Sequence, residues 1–370
     1  MNKNKNKNKN KNENENIAFD LAKKLIAIDT STIAGVKCAN KEIIQWAKKY
    51  ELPVMTFPKT HALLVQTNLK AKKTFAFVCH SDVVPADGWE TAFNPCVKNG
   101  ALYGRGAVDD KGPLSICLST LVSWKNFHDI NVSCLVVGDE EVINHDIQEV
   151  LASKKFHADY CLVADGGTHN LFDIGQKGIV RLSASVTTEG GHSAFEEAEK
   201  SASIQLLKFI NSLDAYSKTL SHDSHFQPTF INVSHFETNA VPYGLPTLAV
   251  ANLEVQFPSP QTLEDWLLKI KKLQTEIAHL KVTIAFTEVP HLISDPIVLG
   301  LITKLPEVSL ITVGGVNLAK DLNKAGIPAV GHCPVKKYMG HCKNERMRLS
   351  DFRRGLATYN QLINLWKDIT

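Results

Sequence analysis

Three short apolar runs, each breaking off at a polar or acidic cluster, constrain this chain more than any other feature. Thr74-Phe75-Ala76-Phe77-Val78 leads into Cys79-His80-Ser81-Asp82, and Val132-Ser133-Cys134-Leu135-Val136-Val137 leads into Gly138-Asp139-Glu140-Glu141. Tyr160-Cys161-Leu162-Val163-Ala164 leads into Asp165-Gly166-Gly167. Near-continuous apolar runs of this length predict strands covered on both faces, the condition met in sheets flanked by helices. Between the first two runs, Leu114, Cys117, Leu118, Leu121 and Val122 form a helical stripe. Gly112-Pro113 opens it, with proline suited to a first turn. The alternation is that of an α/β fold.

The rest of the chain fits around this frame. Ile17, Leu21, Leu25 and Ile28 recur at helical spacing, and a second helix is expected near Glu42 to Tyr50. From Ile179 to Phe286 the style changes. A strand over 179–188 is followed by a helix over 201–213, strands over 230–236 and 248–257, a helix over 263–280 and a strand over 282–286. That order, βαββαβ, is the split unit of a ferredoxin-like domain. Apolar strands return at 309–313 and 327–330, and an amphipathic helix over 351–366 closes the chain. The expected organisation is an Asn/Lys tail over 1–16, disordered, then a discontinuous α/β domain over 17–175 and 291–370, interrupted by a small α+β domain over 176–290.

Composition narrows the function. The chain has 370 residues, 44% hydrophobic and 21% charged, enough for a large buried core, with no apolar stretch long enough to span a bilayer. Its net charge of +3 vanishes when the five Lys and two Glu of the first sixteen residues are set aside, leaving 36 basic and 36 acidic side chains. A balanced body is no nucleic-acid surface. Cys79, Cys134 and Cys161 lie inside apolar runs, as reduced thiols do, and the tail has no apolar core to act as a signal peptide. A cytoplasmic location is expected.

In an open α/β sheet, ligands collect at the carboxyl ends of the strands. There the chain places His80, Asp82, Glu140, Glu141 and Asp165, with Asp109 in the glycine-bracketed loop 104–112. Carboxylates crowded together without a cation repel and lose solvation. A bound metal removes that penalty. Imidazole and carboxylate donors, with no cysteine pairs at zinc-finger spacing, suit a catalytic Zn²⁺ or similar divalent ion. Several carboxylates able to bridge point to two ions about 3.5–4 Å apart, an arrangement that activates water and polarises a carbonyl. Glu140 and Glu141 can share the site only if the chain turns there, one as ligand and the other as general base.

Six segments carry a resemblance. These are His80-Ser-Asp-Val-Val-Pro85, Tyr103-Gly-Arg-Gly-Ala-Val-Asp-Asp-Lys-Gly112, Gly138-Asp-Glu-Glu141, Gly190-Gly-His-Ser-Ala194, Asn239-Ala-Val-Pro242 and His341-Cys-Lys-Asn-Glu345. Together, in order and over nearly the whole chain after the tail, they resemble the two-metal aminoacylase/carboxypeptidase family. Its members include acetylornithine deacetylase, succinyl-diaminopimelate desuccinylase, bacterial dipeptidases and glutamate carboxypeptidases.

The resemblance implies a zinc-exopeptidase-like catalytic domain with a mainly parallel sheet, and an inserted lid and dimerisation domain. It implies His80, Asp109 and Asp165 on one ion, and Asp109, Glu141 and His341 on the other. Zn²⁺ is the first choice, with Co²⁺ or Mn²⁺ as alternatives. Asp82 would orient the His80 imidazole, and Glu140 would take a proton from water and pass it to the leaving amine. His192 would steady the carbonyl oxygen in a partner subunit's site, which implies a homodimer, and Asn239 would contact substrate.

The sequence departs from the family in three places. Asp165 stands where deacetylases and desuccinylases usually have Glu, Gln256 where a lid arginine grips the substrate carboxylate, and Lys320 ends a Gly314-Gly315 loop that usually ends in arginine. Lysine does not reproduce the bidentate geometry of a guanidinium. The expected activity is deacylation of an N-acyl amino acid. The alternatives are a dipeptidase or carboxypeptidase with the same machinery, or a binding homologue that has lost catalysis. Neither membrane nor nucleic acid is an expected partner. Plainer readings place Asp110 in an exposed charged turn and His145, His169, His225, His235 and His332 on the surface or in the core. Gly104-x-Gly106 fits neither a dinucleotide fingerprint nor a P-loop.

Overall fold

The computed structural model describes residues 2–239, 242–293, 295–313 and 317–369, with side chains from residue 13 onward. The chain forms two compact units, one of Met1–Ile174, Ile293–Ile311 and Asn317–Thr370, the other of Gly175–Leu292 and Thr312–Val316. The second unit therefore takes in a short piece of the later segment that the sequence reading gave wholly to the first.

In the first unit the apolar runs form the middle of a mixed sheet. Its strands follow the order Val54–Thr56, Leu63–Gln66, Ile130–Val137, Lys73–His80, Tyr160–Val163, Ala329–Gly331 and Leu171–Gln176. Pairing is parallel across the four strands from Ile130–Val137 to Ala329–Gly331 and antiparallel toward both edges. Ile130–Val137 is buried at every position, and Lys73–His80 from Phe75 onward, as two covered faces require. His80 pairs with Val137, and Val78 with Val163. That register brings His80, Gly138 and Asp165 to the same edge of the sheet.

One face is covered by the helix Lys111–Trp124, buried at nearly every position. It packs against the first helix, Asn2–Ile26, and the last, Leu349–Ile369. The first helix runs from Asn2 to Ile26. Ala18, Leu21, Ala22, Leu25 and Ile26 are buried and anchor it. One turn earlier, Asn14 Nδ2 donates to Ser123 Oγ at 2.6 Å and its carbonyl accepts from Ser119 Oγ at 2.8 Å. The Arg353 guanidinium grips Glu15 with two bonds of 3.0 Å.

The next helix, Ile33–Lys49, starts well before the expected Glu42 because the Thr32 hydroxyl caps it, accepting the Gly35 N–H at 3.2 Å.

The second unit has the βαββαβ order. Its antiparallel sheet follows Phe230–Thr238, Leu248–Phe257, Gly178–Thr187 and Leu280–Glu288. Helices Ala202–Ser217 and Leu263–Glu276 bury Leu206, Phe209, Leu213, Trp266, Ile270 and Leu273 against Val180, Leu182, Ala251, Leu253 and Val255. The helix from Leu263 ends at Glu276, short of the expected Leu280. The chain reverses through His279 at φ 62°, and the following strand begins at Leu280. All eight cysteines are free, and among the described residues no helix is long and apolar enough to cross a membrane.

Trp266 is fully buried and donates to Gln261 Oε1 at 3.1 Å. Trp266→Ala should lower unfolding stability by about 3–5 kcal/mol, read by denaturant titration. A loss below about 1 kcal/mol would show that this core closes over the cavity.

Candidate metal centre

The site begins where the central strands end. Ser81 N–H still pairs with the Val137 carbonyl at 2.9 Å, after which the chain leaves the sheet. Asp82, buried at the turn, accepts the backbone N–H groups of Glu140 at 3.2 Å and Glu141 at 2.9 Å. The neighbouring strand exit is pinned too, since Asp146 Oδ2 accepts the Gly138 N–H at 2.9 Å and Asp139 accepts the N–H groups of His145 and Asp146. This turned backbone lets adjacent glutamates serve one place.

Asp109 lies at the centre. Its Oδ1 is 3.0 Å from His80 Nε2, and its Oδ2 is 3.2 Å from His341 Nε2. His341 Nε2 also stands 2.9 Å from Glu141 Oε1. His80 Nδ1 faces the Asp82 carbonyl at 3.1 Å and its carboxylate at 3.4 Å, so one ring nitrogen is held while the other addresses Asp109. Donor atoms of His80, Asp109 and Glu141 lie within 4.8 Å of one another. Asp165, its Oδ1 accepting from Gly166 N–H at 2.7 Å, is linked to Asp109 through Tyr338. That hydroxyl lies 2.8 Å from Asp109 Oδ2 and 3.1 Å from Asp165 Oδ1. All five expected ligands thus join one connected cluster.

The electrostatics follow from burial and crowding. Burial alone would raise Asp109, but the His341 and His80 imidazoles hold it far below the carboxylate range. Burial also opposes charge on His80, and the carboxylates of Asp109 and Asp82 outweigh it, holding that imidazole well above its ordinary value. Hydrogen bonds to Asp109 and Glu141 raise His341 to about 10. Glu140, without such a partner, is pushed up to about 8 by burial, with His80 opposing and Asp165, Glu141 and Asp109 adding to the rise. Asp165 rises to about 6 through burial and the Asp109 charge.

The residues fit a bound cation. Tyr338 has one proton to offer two carboxylate oxygens, and Asp109 relies on two imidazoles to compensate its charge. Oxygen and imidazole donors already converging in this way match a divalent ion of the Zn²⁺ type.

Other expectations fare differently. Asp110 does not lie in an exposed turn: it is fully buried, accepts the His80 N–H at 3.1 Å, and burial drives its carboxyl well up. His332 is a core residue stacked on Phe172 at 4.2 Å, with burial lowering it to about 4. Lys320 is 2% exposed in the helix Leu318–Lys324. Gly314 and Gly315 lie outside the described residues.

In the second unit, His192 is exposed on the short strand Gly191–His192, with its Nδ1 accepting the Ala194 N–H at 3.1 Å. The Asn239 amide is engaged locally, accepting from Thr247 N at 3.0 Å and Leu248 N at 2.8 Å and donating to Thr247 Oγ1 at 2.7 Å.

Tyr338 escaped the sequence reading, since a lone tyrosine three residues before a histidine carries no spacing signal. Gly340 did as well: a Cβ there would stand 2.6 Å from Asp109 Oδ2, so only glycine lets the chain pass.

Residues 76–365 match the family model described as peptidase family M20/M25/M40. The chain belongs to that family. It is a hydrolase of amide bonds, in a family whose metallohydrolase members use divalent metals.

Among its relatives, succinyl-diaminopimelate desuccinylase of Pelagibacter ubique is 27% identical over 93% of this chain and 91% of its own. That of Zymomonas mobilis is 29% identical over 80% of each. The fold matches the M20 family metallo-carboxypeptidase Sso-CP2 of Sulfolobus solfataricus with a TM-score of 0.73 at 18% identity, covering 94% of this chain and 99% of that one. It also matches human carnosine dipeptidase 1, with a TM-score of 0.69 at 15% identity over 96% and 97%.

Because His341 is raised to about 10, it carries a proton at neutral pH in chelator-stripped protein, and a cation at Nε2 must displace that proton. Binding of Zn²⁺ or Mn²⁺ should therefore release at least one proton per chain at about pH 7 and tighten as pH rises. Calorimetry in buffers of differing ionisation enthalpy reads this directly, and proton-neutral binding would contradict it. In the stripped protein the same shift adds stability that is complete below about pH 6.5 and is lost as pH climbs through about 10.

Proposed function

We propose that the chain is a two-ion deacylase of N-acyl amino acids. The carrying observation is Asp109, buried between the imidazoles of His80 and His341 with Glu141 and Asp165 on either side. His80, Asp109 and Asp165 would hold one ion, and Asp109, Glu141 and His341 the other, with Zn²⁺ the first choice. Such ions, when bound, make water a stronger acid and draw electron density from a carbonyl oxygen.

The remaining work falls to side chains. Asp82 fixes the His80 ring through the contacts at Nδ1 and holds the backbone that carries Glu140 and Glu141. Glu140, pushed up to about 8 by burial, is brought back toward a working base by neighbouring positive charge. It takes a proton from the attacking water as the water oxygen bonds to the amide carbon. It returns that proton to the amine nitrogen as the C–N bond breaks. In this reading His192 steadies the carbonyl oxygen across a homodimer and Asn239 faces the substrate, whereas Lys320, 2% exposed, is not presented to it.

The named desuccinylase relatives support an N-acylated diamino acid, and the dipeptidase among the fold neighbours supports a dipeptide as the second reading. Gln256 bears on the choice. Its amide donates to Glu254 Oε1 at 2.7 Å and offers no guanidinium fork for a carboxylate. A non-catalytic homologue is disfavoured by the presence of Glu140 and every expected ligand. The eight free cysteines support a reducing, cytoplasmic setting.

A panel of N-succinyl and N-acetyl amino acids against dipeptides, assayed with Zn²⁺, Co²⁺ or Mn²⁺, separates the two readings. Turnover of the acylated amino acids is the expected result, and preference for dipeptides would transfer the assignment. Glu140→Gln should reduce kcat by at least about 10²-fold while elemental analysis finds wild-type metal content. Retained turnover would remove its role as base.

A further inference from the structure

Glu345 is fully buried, yet every bond it makes leads to the loop that ends in Asp109. Its Oε1 accepts the backbone N–H groups of Val108 at 2.7 Å and Asp109 at 3.1 Å. Its Oε2 accepts Arg105 Nη1 at 2.9 Å and the Gly106 N–H at 3.1 Å, and its own carbonyl accepts the Gly104 N–H at 3.1 Å. The loop thus curls around one carboxylate. Gly106, at φ +86°, supplies the left-handed turn, where a Cβ would strike the Lys111 side chain at 2.8 Å.

Arg105 works in the other direction. Its Nη2 points to the His341 carbonyl at 3.5 Å, and its guanidinium lies over Trp89 at 5.6 Å. Residues 341–345 are short, with His341 and Asn344 both at φ 62°. Glu345 therefore belongs to the same turn as His341 while fastening the backbone N–H of Asp109.

A buried carboxylate with four N–H donors is costly to disturb, because any donor left behind loses its only partner. We propose that Glu345, braced by Arg105, is a positioning residue that locks the Asp109 and His341 loops into one unit, so that both ions gain or lose affinity together. The inference rests on the two-ion reading above. It concerns metal affinity and geometry, since Glu345 touches neither ligand oxygen nor ring nitrogen in the contacts described.

Glutamine at 345 keeps the shape but turns an acceptor into a donor facing N–H groups that already need an acceptor. The test compares wild type, Glu345→Gln, Arg105→Lys and Leu362→Ala, a core control in the last helix. Each is stripped with chelator and titrated with Zn²⁺ against a chromophoric competitor, and its folding is followed by thermal melting and circular dichroism.

Glu345→Gln should weaken both binding steps by about 10–100-fold. Leu362→Ala should lower the melting temperature yet bind within about twofold of wild type, since loss of a distant contact adds independently. Affinity for Zn²⁺ unchanged in a folded Glu345→Gln protein, or loss of only one binding step, overturns the proposal. Should that variant fail to fold, Arg105→Lys decides: a drop of about tenfold or more in both steps, the lower end of the range for an outer-shell partner, supports it, and a smaller change refutes it. If wild type itself takes up no Zn²⁺, the two-ion reading falls and the clamp with it, an outcome distinct from a wild type that binds beside an unaffected Glu345→Gln.

Discussion

A carboxylate buried between two imidazoles, with further carboxylates close by, is the constraint on which this structure depends. Like charges about 5 Å apart repel by roughly 3 kcal/mol at an effective dielectric near 20, and burial adds a desolvation penalty for each. The shifts of the group express that conflict: Asp109 is held low by its imidazole partners, while Glu140 and Asp165, less well compensated, move up. Nothing in the core demands such a cluster. Its converging donors fit a binding arrangement for positive charge, and buried carboxylates hold the surrounding backbone.

The sheet supplies the coarse placement and the loops the fine one. Register between Lys73–His80 and its neighbours brings three strand ends to one edge. From there, Asp82 holds the Glu140-Glu141 backbone, Asp146 holds Gly138, and Glu345 holds the loop of Asp109. Each uses a buried carboxylate to accept main-chain N–H groups, a bond strengthened by charge and low solvent access. Asp109 and Glu141, by contrast, direct oxygens at imidazoles.

Much of this was legible in the sequence because apolar runs and their polar endings are local features. Covered strands, the order of the inserted βαββαβ unit, and the company of His80, Asp109, Glu141 and Asp165 could be read from pattern and strand-end logic. His341 needed a motif, since it arrives from a left-handed turn on a loop far along the chain. What stayed hidden depends on distance in space. Asp110 reads as a solvated turn beside Asp109, but the same loop that presents one carboxylate to imidazoles buries the other against the His80 N–H. Tyr338 gains its place only when its loop crosses both Asp109 and Asp165. Asn14 and Glu15 meet Ser123 and Arg353, partners that lie more than a hundred residues later.

The central claim is that this cluster exists to hold a pair of cations. Its most direct test is to strip the full-length chain with a chelator, titrate it with Zn²⁺ or Mn²⁺, and count equivalents by elemental analysis while following amide hydrolysis. The account predicts about two equivalents per chain, with activity returning as they bind. A protein that remains fully active when stripped, or that takes up no divalent ion below millimolar concentration, would contradict it.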